Sequence, residues 1–269
     1  MNKIGAVLIT CDRPIFYKKS SDSLLRTCKE KQLEYVVVND GTIELPYDPP
    51  HFIRTSGKIG VAKAKNLGIR YLLNSGCTDI FLMEDDIEIT DSGVFDAYIN
   101  TAKSTGIKHF NFGLHGNHNR NLDGSPNIRK TVKYPDGTEI DLYSEILGAF
   151  SYYHRSVFDE IGVMDESFYN ALEHVHSTYE ASLKGFTSPW RWFADIHDSE
   201  KYLKDIVPDH QQSIIRNENF QETFKNGLDN FISKNGFSVV RGYGPPEPIT
   251  DEKDCLKFMK DLYRSSHIT

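Results

Sequence analysis

Three consecutive carboxylates, Glu84-Asp85-Asp86, follow the apolar run Ile80-Phe81-Leu82-Met83, and apolar and acidic residues then alternate through Ile87-Glu88-Ile89. The apolar run reads as a strand buried on both faces. Unpaired carboxylates are costly to desolvate, so packing alone gives a buried strand no reason to end in three of them. Something positive belongs there, and a hard divalent cation carrying a phosphate is the natural candidate. The competing reading is an ordinary acidic turn, solvated at a strand end.

The same kind of ending recurs upstream. Residues 4–10 read as a first strand that stops at Thr10-Cys11-Asp12-Arg13-Pro14. Residues 35–39 are almost pure β-formers and stop at Asn39-Asp40-Gly41-Thr42. A short strand over 51–54 precedes Gly57-Lys58-Ile59-Gly60, which opens a helix over 61–74 carrying Lys63, Lys65 and Asn66. In a parallel sheet all four polar clusters lie on one rim, and solvation alone does not readily produce four in succession.

The elements that must position these clusters alternate strand and helix, with a helix over 15–31 between the first two strands. That order predicts an α/β fold with a mainly parallel central sheet and helices on both faces. In such sheets ligands sit beyond the carboxyl ends of the strands. Further along, 94–103 reads as a helix and 109–113 as a strand. Two alternating runs, 128–134 and 138–143, flank Pro135-Asp136-Gly137 and predict a hairpin. An aromatic-rich strand follows over 147–154, then helices over 157–161 and 172–184, the latter closed by Gly185. Beyond residue 199 the pattern becomes amphipathic helical pieces, a break at Gly244-Pro245-Pro246 and a last helix over 252–263. The expected organisation is a main domain over 1–198 with a C-terminal helical extension, 199–269, packed on it.

The chain has 269 residues, 39% hydrophobic and 12% aromatic, which suits one large domain with a substantial core. A net charge of −7 does not favour DNA, RNA or anionic membranes as partners. Cys11, Cys28, Cys77 and Cys255 are scattered, without C-x-x-C or zinc-ribbon spacing, and read as reduced structural thiols. The short apolar run near the start has no small-residue cleavage site after it, and no segment approaches the ~20 apolar residues of a membrane span. The expectation is a cytoplasmic protein, with room for a peripheral place at a membrane.

The ordered set of motifs resembles the nucleotide-sugar half of a GT-A glycosyltransferase, close to the family-2-like group. Thr10, Asp12, Arg13 and Pro14 match the loop after that family's first strand. Val38-Asn39-Asp40-Gly41-Thr42 matches its Val-Asp-Asp-Gly-Ser motif. Lys58-Ile59-Gly60-Val61-Ala62-Lys63-Ala64-Lys65-Asn66-Leu67-Gly68 matches Asn-x-Gly-x-x-x-Ala-x-Asn-x-Gly, with Lys58 in place of the leading Asn. Glu84-Asp85-Asp86 matches the D-x-D element, with Glu in place of the first Asp. The likeness covers 3–90 well and 145–186 moderately. It implies a nucleotide-sugar half over 1–90 and an acceptor half over 91–198.

The resemblance also implies roles. Asp12 and Asp40 would read base and ribose, since carboxylates suit ring N–H groups and hydroxyls. Lys58 or Lys65 would approach the diphosphate as a cation. Asp86 would ligate Mn2+ or Mg2+, and Glu84 or Asp85 would meet ribose or metal-bound water. The metal would neutralise charge on the departing nucleoside diphosphate. On the acceptor side the family's Glu-Asp pair, whose Asp removes the acceptor proton, is replaced by Glu173-His174, followed by His176. His174 or Glu173 would be the base, or a histidine would join the metal. On a helix Glu173 and His176 share a face, whereas His174 and His176 diverge. His197 is a further candidate metal ligand. Trp190-Arg191-Trp192 would line the acceptor cleft, with core tryptophans as the bland alternative. His115 and His118 fall in a polar loop that suits either acceptor contacts or solvation.

The function so implied is metal-dependent transfer of a sugar, UDP-linked in the commonest case, to a glycan or other acceptor hydroxyl with inversion. A sugar-nucleotide nucleotidyltransferase would share architecture and metal, but it would begin with a Gly-rich loop and a lysine just after. Thr10-Cys11-Asp12-Arg13 has neither. A non-catalytic carbohydrate- or nucleic-acid-binding module on the same fold is the remaining class; Glu84-Asp85-Asp86 and Glu173-His174 argue against it.

Overall fold

Runs of β-branched residues put strand β1 (Ile4–Thr10) beside β2 (Glu34–Asn39) in parallel, with Thr10 opposite Asn39. β3 (Phe52–Arg54) continues the sheet on that side, with Asn39 opposite Arg54. On the other flank β4 (Asp79–Glu84) pairs with β1 so that Ile9 faces Glu84. This register brings the polar ends of four strands to one rim. The computed structural model describes residues 3–206 and 220–267.

The full sheet runs β3-β2-β1-β4-β9-β6, with β9 (Phe150–His154) antiparallel between β4 and β6 (His109–Asn111). The expected mainly parallel sheet is therefore present. Alternate residues of each strand enter opposite cores, as a period of two requires. Ala6, Leu8, Val37, Phe81 and Met83 face α1 (Pro14–Lys31) and α3 (Val94–Thr105). Val7, Ile9, Val36, Val38, Ile80 and Leu82 face α2 (Val61–Asn74) and α4 (Arg155–Ile161). Each buried Val, Leu, Ile, Phe or Met among them contributes about 1.5–3 kcal/mol. Gly68 lets α2 lie close on β1, because a Cβ there would collide with Val7.

The hairpin forms as β7 (Lys130–Lys133) and β8 (Glu139–Tyr143). β10 (Phe193–Ile196) adds to β8, while β5 (Ile87–Ile89) pairs with β11 (Leu203–Asp205). These last three strands are too short to announce themselves in the sequence. α5 (Glu173–Leu183) begins at the rim. α6 (Phe220–Asn235) packs Leu228 and Phe231 into a third cluster with Phe168, Trp190 and Phe237. α7 (Glu252–Ser266) inserts Cys255 and Met259 into the same core as α1 and α3, so its end of the chain is built into the main core. Among the described residues no helix is long and apolar enough to cross a membrane.

Candidate functional site

β4 ends at Glu84, the chain turns through Asp85 and Asp86, and β5 leaves to pair with β11. That turn lies under the loop after β1. Thr10 Oγ1 donates to Asp85 Oδ2 at 2.5 Å, and the Arg13 guanidinium pairs with Asp85 Oδ1. Arg13 also reaches Asp86 Oδ2 at 3.3 Å. Burial pushes the Asp85 carboxyl up to about 7 against the pull of Arg13. Burial likewise raises Asp86, with His115 and Arg13 opposing. Asp86 is 7% exposed, yet its Oδ1 has no hydrogen-bond partner among the described residues. His115 Nε2 lies 3.9 Å from Asp86 Oδ2, and its Nδ1 lies 3.3 Å from Asp205 Oδ2. Burial opposes the imidazolium, but Asp205 and Asp86 outweigh it and lift His115 to about 9.

Asp40 and Asp12 clip the neighbouring loops together. Asp40 accepts from the backbone N–H of Ile59 and Gly60, each at 2.9 Å, and from Thr55 Oγ1 at 2.9 Å. Asp12 takes φ +55 and accepts from the N–H groups of Thr42 and Ile43 at 2.6 and 2.8 Å. Lys58 Nζ closes on Asp12 Oδ2 at 2.7 Å from a half-exposed position. Gly41 is required because a Cβ there would stand 2.5 Å from the Asp12 nitrogen. Thr10, Cys11, Arg13, Asp40, Lys58, Glu84 and Asp85 line one open hollow of about 500 Å³.

A second hollow of about 1100 Å³ adjoins the first and shares Arg13, Val61, Glu84 and Asn170 with it. Asp86, His115, Glu145, Gly148, Glu173 and His174 line it, with Phe220 and Phe224 at another wall. Lys65 ties Glu84, which lines both hollows, to Glu173, which lines the second. It is 1% exposed, and its Nζ lies 2.7 Å from Glu84 Oε1 and 2.9 Å from Glu173 Oε1. Burial would lower the ammonium's proton affinity, but Glu173 and Glu84 raise it above the ordinary lysine range. His174 Nδ1 approaches the same Glu173 oxygen at 3.2 Å. Leu172, at φ +67, turns the chain into α5 so that Glu173 starts the helix.

Several expected placements need correcting. Lys65 faces two carboxylates inside the fold instead of standing open to a diphosphate. His176 turns from Glu173 and the hollow: it packs on Phe168 and lies 3.9 Å from Asp165. Glu173 and His176 share a face of α5 as expected, three positions apart, but Glu173 reaches Lys65 while His176 packs on Phe168, so they do not converge on one site. His197 bonds Asp141 at 2.9 Å beside the β10-β8-β7 sheet. Neither histidine joins Asp86. Trp190 and Trp192 are buried and donate to Glu247 and to the Thr250 carbonyl, and Arg191 pairs with Glu247. These three residues anchor the chain before α7 and do not line the hollow. What the motifs did not single out are Asn170 and Asp205. His115 carried only the signal of a polar loop.

Among the described residues no group of three or more His, Cys, Asp or Glu is placed to hold a metal ion. No protein-family model and no curated protein matches the chain. Solved structures do. A variant of beta1,4-galactosyltransferase 7 from Drosophila, in complex with manganese, UDP-Gal and xylobiose, is 10% identical with a TM-score of 0.49, over 78% of this chain and 72% of that one. The catalytic domain of the Drosophila enzyme with xylobiose gives 10% and 0.47 over the same shares. A mannosyltransferase from Pyrobaculum calidifontis, in complex with GDP-Man and Mn2+, gives 11% and 0.46 over 68% of this chain and 52% of that one. With identities near one tenth and these scores below 0.5, the likenesses assign the chain neither a family nor an activity.

Proposed function

We propose that the protein transfers a sugar from a nucleotide diphosphate sugar, UDP-linked, to an acceptor hydroxyl with inversion, on a GT-A-like fold. One observation carries the reading: two adjoining hollows at the carboxyl ends of the parallel strands share Glu84 and Arg13. The first, walled by Thr10, Cys11 and Asp40, suits a nucleoside, with Lys58 at its mouth for phosphate. The second, with Glu173 and His174 in its wall, suits an acceptor that must lose a proton.

The donor chemistry fits a hard divalent cation at Asp86. Arg13 and His115 face Asp86 Oδ2, whereas the buried Oδ1 has no hydrogen-bond partner among the described residues and is the acceptor left to offer a cation. Mg2+ is commonly held by one or two carboxylates with phosphate and water, not by an all-protein cage. Mn2+ or Mg2+ bound there would neutralise the leaving diphosphate. Arg13 stands beside it with the same sign of charge. Asp12 and Asp40 act in this scheme by fixing the loops that shape the nucleoside site.

The test is a thermal-shift screen of UDP-sugars and GDP-sugars with and without Mn2+. A true donor raises Tm by mass action, more so with the metal, and is slowly hydrolysed in its presence. Equal shifts with and without Mn2+, and no hydrolysis of any donor, would rule the reading out in favour of a binding module.

A further inference from the structure

We infer that His174 accepts the acceptor's proton through Nε2, and that Lys65 is the positioning residue that reserves Glu173 to orient it. The inference rests on the transfer reading above and divides the work within the Glu173-His174 pair.

Glu173 Oε1 already receives two donors, Lys65 Nζ at 2.9 Å and His174 Nδ1 at 3.2 Å. Lysine offers three N–H donors and no acceptor, so the contact fixes Glu173 as an anion. The pair is shut away: Lys65 is 1% exposed and Glu173 is 3%. Taking Lys65 away would strand two carboxylates, which is why the pair holds. Burial works against ionised Glu173, but Lys65 and His174 keep its carboxyl well below the usual range. So weak a base removes protons poorly.

The imidazole has the complementary geometry. Nδ1 spends its proton on Glu173, and a neutral ring with Nδ1 protonated carries its lone pair on Nε2. Gly148 lets the chain run flat against the ring, because a Cβ there would lie 2.6 Å from His174 Cγ. The ring is thus held by a bond at one edge and backbone on a face, at the wall of the second hollow. The charged and titratable groups around it are Glu173 and Lys65, His109 behind it on β6, the His118–Glu145 pair, and Arg13, Glu84, Asp86 and His115 across the hollow.

In the step itself, the acceptor O–H proton passes to His174 Nε2 while its oxygen bonds the anomeric carbon. The bond from that carbon to the phosphate oxygen breaks, and its electron pair leaves with the nucleoside diphosphate.

The experiment is a long-range 1H–15N correlation spectrum of the histidine rings at pH 8.5, with His174 assigned by its loss in His174→Gln. The wild type should show His174 as the Nδ1–H tautomer. Lys65→Met and Glu173→Leu, which removes the Oε1 acceptor, should each convert it to the Nε2–H form, while Glu84→Gln should preserve it. An Nε2–H ring in the wild type, or an unchanged ring in Glu173→Leu, overturns the inference; the second variant serves if Lys65→Met does not fold. Release of UDP from UDP-glucose, UDP-galactose and UDP-N-acetylglucosamine with Mn2+ is measured alongside. Lys65→Met should lower kcat on the order of 100-fold with donor KM nearly unchanged. A fixed Nδ1–H tautomer without UDP release from any of them defeats the transfer reading and upholds the arrangement. An Nε2–H ring with brisk release does the reverse.

Discussion

Arg13 and Asp85, separated by 72 residues, form an ion pair at the rim of the sheet. Asp85 has no exposed side-chain surface, and Arg13 has 14%. The pair joins the loop after β1 to the end of β4, so the acid triplet finds its positive partner within the protein itself. Arg13→Met leaves Asp85 and Asp86 without that partner and should cost about 3–5 kcal/mol. Urea denaturation measures it. Adding Asp85→Asn to Arg13→Met should restore part of the loss; no recovery would mean that the pair is not what the substitution breaks.

Asp86 is expected to matter for binding and turnover more than for folding. Asp86→Ala should abolish sugar transfer and the Mn2+-dependent part of the UDP thermal shift while leaving the unliganded Tm close to wild type. Among the described residues its buried Oδ1 has no hydrogen-bond partner to lose, and Arg13, which reaches its Oδ2 at 3.3 Å, keeps its pairing with Asp85. Near-normal turnover in this variant would refute the metal assignment.

His109 should make the fold acid-sensitive. It is fully buried, bonded to the Tyr152 carbonyl at 2.9 Å and to Thr178 Oγ1 at 2.7 Å, and burial lowers it to about 4. The unfolded imidazole takes a proton near its ordinary ~6.5. Between those values the unfolded state binds more protons, so stability falls as pH falls through the window and is fully present above it. The slope approaches ~1.4 kcal/mol per pH unit. His109→Gln should show a flatter loss than wild type between pH 7 and pH 4.5 in urea midpoints; parallel curves would contradict it.

Gly148 faces the His174 ring so closely that Gly148→Ala must displace it. An error of about 1 Å at a reacting group costs on the order of 100-fold. kcat should fall by that order with Tm barely moved. A variant with full turnover would remove His174 from the reaction.

Trp190 belongs to a packed aromatic cluster with Tyr179, Phe193 and Phe231. Trp190→Ala should cost about 3–5 kcal/mol through the cavity it leaves. Donor binding at a temperature where the variant is folded should match wild type. Selective loss of acceptor use with unchanged stability would return this residue to the acceptor cleft.

The strand ends were legible because their signals are local. Apolar runs stop at Thr10, Asn39 and Glu84, and parallel register then sets those residues in a row. The helix over 61–74 was readable from its apolar face, and the 128–143 hairpin from its turn residues. Trp190, Trp192, His176 and His197 illustrate what was not. An aromatic or imidazole ring serves core, rim or metal equally well, and residue type alone does not say which way it points.

Sequence by itself determined the order of strands and helices and the polar character of one edge, since propensity and periodicity act over a few residues. Only the tertiary structure decided partners. Lys65 meets Glu84 and Glu173 from 19 and 108 positions away. That meeting depends on how α2 and α5 pack against the sheet, which no local pattern encodes. A buried ammonium is tolerable only where its counter-ions arrive, so the fold had to supply them together.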